Sequence, residues 1–82
     1  MRNRQINVKM PWLVPEEVEV EVIRWLVEPG ERVEIDQDLL ELTVDGATFI
    51  LPSPLEGTLL EWQVQPGEYV ATDEILAVID AD

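Results

Sequence analysis

The sequence predicts an all-β fold, a sandwich or flattened barrel whose two halves are related by a pseudo-two-fold axis. Three observations carry this. Apolar and charged residues alternate with a period of two, and no window of helical length shows apolar residues at i, i+3, i+4 and i+7. Val, Ile, Thr and aromatic residues dominate the apolar runs. Finally, the chain repeats itself. Sliding it by 37 positions lays Arg24–Leu40 over Glu61–Ala77, with identities at Trp25/Trp62, Val27/Val64, Pro29/Pro66, Gly30/Gly67, Glu31/Glu68, Val33/Val70, Asp36/Asp73 and Leu39/Leu76, which is 8 of 17 pairs. Unrelated segments of that length would share about one residue, so the halves are duplicates.

The elements follow in order. Met1-Arg2-Asn3-Arg4-Gln5 is basic, but no apolar run of about 7–15 residues follows it, and no stretch reaches the ~20 apolar residues of a membrane span. A soluble, cytoplasmic protein is expected. A first strand is placed around Val8-Lys9-Met10. Val18, Val20 and Val22 then alternate with Glu17, Glu19 and Glu21, which sends valines to one face and carboxylates, with Glu16, to solvent. The adjacent apolar pair Val22-Ile23 breaks this alternation, predicting a bulge before Trp25 and Val27 restore it. Glu28-Pro29-Gly30-Glu31 and Gln65-Pro66-Gly67-Glu68 set proline, with its fixed φ, beside glycine, which tolerates positive φ, and so read as tight turns. Short strands follow at Leu39-Leu40-Glu41-Leu42 and at Ile75–Ile79. Between the repeats, Leu42–Ile50 holds Asp45-Gly46 between β-forming residues, the signature of a type I′ hairpin whose tip projects into solvent. Weaker matches extend the repeat backwards through Leu13-Val14-Pro15 over Ile50-Leu51-Pro52. One domain, 1–82, is expected, with repeats at about 13–42 and 50–79 and the hairpin turn at 45–46. Neither half is large enough to form a core alone, so each buries its apolar face on the other. A monomer is expected.

Composition removes several functions. The 82 residues carry 18 Asp and Glu against 5 Lys and Arg, a net charge of −13. Phosphate backbones and anionic membranes need the opposite sign. With no Cys and no His, there is no disulfide, no thiolate nucleophile, and neither the commonest general base nor the commonest zinc ligand. Asp36-Gln37-Asp38 with Glu41 lacks the regular oxygen spacing and central glycine of a calcium loop, so no metal site is expected. Trp25 and Trp62 sit at equivalent positions and are expected in or near the core. Trp12 lies outside the clear repeat, where partial exposure would suit a contact surface.

The blocks Val8-Lys9-Met10-Pro11, Trp25–Val33, Asp38–Leu42, Pro52-Ser53-Pro54-Leu55-Glu56-Gly57, Pro66–Val70 and Leu76–Ile79 together resemble the lipoyl and biotinyl attachment domain family over nearly the whole chain. Its lipoyl members are the more similar. The resemblance implies a flattened barrel of two four-stranded sheets, a barrel-sandwich hybrid. In lipoyl members the hairpin turn reads roughly Glu-Thr-Asp-Lys-Ala, and lipoate is attached to that lysine. Without gaps, Thr43-Val44-Asp45-Gly46-Ala47 takes its place: Asp45 and Ala47 match, and Gly46 stands where the lysine belongs. Lys9 is the chain's only lysine and lies in the first predicted strand, and Ser53, between two prolines, reads as structural.

The sequence therefore points to a non-enzymatic lipoyl-like domain with a degenerate attachment turn, Asp45, Gly46 and Ala47, and no covalent lipoate or biotin. It is expected to serve as an interaction or structural module. The resemblance implies partners in a multienzyme complex of the 2-oxo acid dehydrogenase type. The alternative is a carrier domain of a dihydrolipoyl acyltransferase whose attachment lysine has been replaced at Gly46.

Overall fold

The structure is a computed structural model that describes residues 4–12, 15 and 18–82. Eight strands run in the order β1 Gln5–Lys9, β2 Val20–Trp25, β3 Arg32–Val33, β4 Asp38–Val44, β5 Ala47–Pro52, β6 Gly57–Trp62, β7 Tyr69–Val70 and β8 Ile75–Ala81. No helix occurs among the described residues. They form two antiparallel four-stranded sheets, ordered β1-β8-β6-β3 and β5-β4-β2-β7. In each sheet the central pair comes from one half of the chain and both outer strands come from the other. The halves therefore interlock, which is how two segments too short for separate cores share one. Val22, Val33, Leu40, Leu42, Leu59, Leu76 and Ile79 fill the space between the sheets with no solvent exposure.

Ile23 is the extra residue between the pairs Val22↔Leu42 and Arg24↔Glu41, which accounts for two adjacent apolar residues in an alternating strand. A second bulge sits at Leu60, between Leu59↔Ile79 and Glu61↔Val78, at the equivalent repeat position. The ladder of β2 begins at Val20, opposite Val44 and Val70, and not at Val18. The Val18 amide is turned away to the Pro15 carbonyl. Leu13, Val14, Glu16 and Glu17, like Met1-Arg2-Asn3, lie outside the described residues.

The contacts that lock the halves are reciprocal. Trp25 Nε1 donates to the Val64 carbonyl at 2.9 Å, and Trp62 Nε1 donates to the Val27 carbonyl at 3.1 Å. The two indoles stack across the axis with centroids 5.6 Å apart and planes 6° from parallel. The Pro-Gly turns repeat the pattern. Gly30 and Gly67 have φ 96° and 94°, the third-position geometry of a type II turn. Their amides donate to Leu59 and Val22 in the opposite half. Glu31 and Glu68 accept from the Glu28 and Gln65 amides through their carboxylates. Each tryptophan thus satisfies the carbonyl of a buried valine of the other half. Trp25→Phe and Trp62→Phe are expected to cost about 1–2 kcal/mol each, with nearly equal urea midpoints because the two environments are equivalent.

Equivalence continues upstream with an offset of 43 and not 37. Asp36 and Asp73, at φ 69° and 72°, donate their amides to the Ser53 and Met10 carbonyls respectively. Strand β1 is thus the counterpart of β5. Ten residues, 10–19, join β1 to β2, whereas four, 53–56, join β5 to β6. An ungapped comparison places Leu13-Val14-Pro15 over Ile50-Leu51-Pro52 because it skips this longer connection, which also carries Trp12, 67% exposed.

Candidate functional site

The hairpin β4–β5 closes with the pair Val44↔Ala47, leaving only Asp45 and Gly46 in the turn. Both have positive φ, 49° and 80°, the backbone signature of a type I′ turn whose twist matches the strands it joins. Aspartate tolerates the first position because its short side chain suits the left-handed region, and glycine takes the second without a Cβ penalty. Asp45, Gly46 and Ala47 are all exposed. A Cβ added at Gly46 would meet nothing within 4 Å, so a side chain at this position would have open space. None of the three residues carries an amine.

Beside the tip lies a shallow depression of about 480 Å³ lined by Val18, Glu19, Glu21, Thr43, Asp45, Gly46 and Tyr69. The topology assembles it: β7 lies against β2 with Tyr69 opposite Glu21, and β4 flanks β2 on the other side. Glu19, Glu21 and Asp45 form no ion pair among the described residues, so the rim is anionic.

The repeat makes the chemistry of this end legible by contrast with the other end. Arg32 occupies the position equivalent to Tyr69, and Asp82 the position equivalent to Asp45. There the Arg32 guanidinium grips both Asp82 carboxylate oxygens, and this hydrogen bonding holds the Asp82 carboxyl below its usual range. Arg4 binds the Asp82 carbonyl at 2.7 Å. At the tip, tyrosine replaces the arginine, and the equivalent carboxylate has no cation among the described residues. Neither Tyr69 nor Thr43 stands out in the sequence as a site residue. The signal for Tyr69 is that a charged repeat position has become aromatic.

The other nucleophile candidates are elsewhere. Lys9 ends β1, in the sheet that does not contain the hairpin, opposite Ile75. Ser53 is fully buried. Its hydroxyl donates to the Leu55 carbonyl at 2.6 Å, and its amide donates to Gln37 at 2.7 Å, so it fastens the base of the hairpin to the preceding turn. Asp36 serves that same turn at positive φ. No three acidic side chains converge in a metal-binding arrangement among the described residues.

Comparisons with known proteins agree with this architecture. The biotin–lipoyl family profile, described as biotin-requiring enzyme, matches residues 6–79. The fold is similar to that of the lipoyl domain of the 2-oxoglutarate dehydrogenase complex from Azotobacter vinelandii, at 22% identity and a TM-score of 0.72, covering 94% of this chain and 99% of that domain. It is also similar to part of a single-chain, multi-domain long-chain acyl-CoA carboxylase, at 17% identity and a TM-score of 0.78, covering 100% of this chain and 8% of that one. No curated protein sequence matches the chain. The chain belongs to the biotin–lipoyl attachment domain family.

Proposed function

We propose that this member of the family is a carrier-type domain that works without a covalent cofactor, as an interaction module. Domains of this family are carriers and not catalysts, and they ordinarily bear lipoate or biotin as an amide on a lysine. The observation that carries the reading is the tip itself: the exposed turn where that lysine would be displayed is Asp45-Gly46, with Gly46 at φ 80° and open space in place of a side chain. The residues present do not fit an acylated arm. Lys9, the only amine-bearing side chain in the sequence, sits in a strand of the other sheet. What remains is a regular two-residue hairpin with an anionic depression beside it, a surface suited to docking.

Because the lipoyl domain that this fold matches over 94% of the chain belongs to a 2-oxoglutarate dehydrogenase complex, an enzyme of the 2-oxo acid dehydrogenase type is the partner class we infer. The test is competition. Added to such a decarboxylase while it reductively acylates an ordinary lipoyl domain, the chain is expected to raise the apparent KM for that domain in proportion to its own concentration. It should leave kcat unchanged and remain unacylated itself. Absence of inhibition at any concentration contradicts docking to that class. A second reading, a dihydrolipoyl acyltransferase carrier domain altered at position 46, rests on the end-to-end similarity to a lipoyl domain. An acyltransferase catalytic domain encoded in the same reading frame would favour it.

A further inference from the structure

We propose that the free edge of β5, Ala47–Pro52, accepts an extended, cationic segment of a partner protein as an added strand. β5 is the outermost strand of its sheet and pairs only with β4. Among the described residues, none of Ala47–Pro52 makes a backbone hydrogen bond outside that ladder. Its outward N–H and C=O groups are therefore an open row, the template on which a further strand forms. The row stops at Ser53, whose amide and carbonyl are engaged by Gln37 and Asp36. From Leu40 to Val44 the register against Ala47–Leu51 runs without a bulge, and the one irregularity, between Asp38 and Leu40, falls at the Pro52 end of the edge, so the stretch Ala47–Leu51 is regular enough to pair with an incoming chain.

Composition distinguishes this edge from its counterpart. The equivalent outer strand β1 carries Lys9, the kind of residue that discourages strand addition. β5 reads Ala-Thr-Phe-Ile-Leu-Pro, and no charged residue occurs from Gly46 to Leu55; Pro52, which has no N–H to donate, ends the usable edge, so the added strand pairs along Ala47–Leu51. Phe49 and Ile50 are 40% and 36% exposed and, as neighbours in a strand, face opposite sides, so an added strand finds an apolar contact on each face. The occupant follows from charge. Asp45 heads the strand and Asp38 lies opposite its last residue, Pro52. A second copy paired antiparallel would bring acidic ends together and join two chains of net charge −13. A segment with a β-branched centre flanked by Lys or Arg matches both the apolar edge and its acidic ends. This inference rests on the strand and is independent of the reading of the tip.

The probe is a synthetic nine-residue peptide of alternating valine and threonine flanked by paired lysines, titrated into the isotope-labelled chain. Saturable binding is expected to shift amides of β5 and slow their hydrogen exchange at alternate residues. N-methylation of alternate peptide amides, which keeps every charge, is expected to weaken binding at least about tenfold, because strand addition depends on main-chain bonds. Ile50→Lys, on an exposed outer position opposite Glu41, is expected to weaken it similarly with the fold intact by circular dichroism. Equal binding of the N-methylated peptide, shifts confined to the acidic tip, no saturable binding, or self-association through β5 in sedimentation would each overturn the proposal.

Discussion

Replacing Gly46 by lysine is expected to make the chain a lipoate acceptor. The backbone already displays this position at the solvent end of a two-residue turn. Since a Cβ there meets nothing within 4 Å, the only structural cost is a side chain at φ 80°, about 1 kcal/mol. That penalty is small beside the roughly 4–12 kcal/mol total stability of a domain this size, so the variant folds. Attachment enzymes must recognise where the amine is presented, and the resemblance to lipoyl members implies that Asp45 and Ala47 supply the expected flanks. The check is the intact mass of Gly46→Lys after incubation with lipoate, ATP and a lipoate ligase. A gain of one lipoyl group, mapped to position 46, is expected. A folded variant with unchanged mass would show that Thr43, Val44 and the anionic depression have lost the recognition surface along with the nucleophile.

The largest loss of stability is expected from Gly57→Ala. Gly57 opens β6 and lies opposite Ala81, and the reason for glycine is contact and not dihedral freedom. An added Cβ would fall on the Asp80 carbonyl oxygen and within 2.9 Å of Ile79 Cγ2 and 3.0 Å of Ala81 Cα. The closest of these atoms is backbone in the central strand β8, which is held by β1 on one side and β6 on the other, so it cannot step aside as a flexible side chain would. Overpacking of this kind costs about 1–3 kcal/mol and sometimes more. We expect the upper end, about 3 kcal/mol, which lowers Tm by roughly 12–24 °C in a domain of this size. Urea unfolding measures it. A midpoint within experimental error of the parent chain would show that β6 and β8 do not approach as closely as described.

What the sequence made legible was local. Asp45-Gly46 between β-formers specified the hairpin, because few residue pairs tolerate positive φ twice in succession. The adjacent pair Val22-Ile23 specified the bulge, because two neighbouring apolar residues break the alternation of a regular pleated strand. The repeat identified Trp25 and Trp62 as equivalent, and their reciprocal bonds follow from that equivalence. What stayed hidden depends on which strands meet. Interlocking places β7 beside β2, and only that pairing brings Tyr69 to the tip. The two-residue strands β3 and β7 are too short to show a period. The longer connection between β1 and β2 disappears in an ungapped comparison, and with it the correspondence of β1 to β5. The bulge at Leu60 was available from the repeat once Ile23 was recognised. The open edge of β5 was not, since an uncharged run reads equally well as a buried strand.

The central claim is that the tip carries no acyl arm, and the most direct measurement is the intact mass of the unaltered chain co-expressed with a lipoate ligase and, separately, with a biotin ligase, each with excess cofactor. The mass calculated from the sequence is expected in both cases, with no ligase-dependent addition. A lipoyl or biotinyl adduct mapped to this chain, at Lys9 or anywhere else, would contradict it.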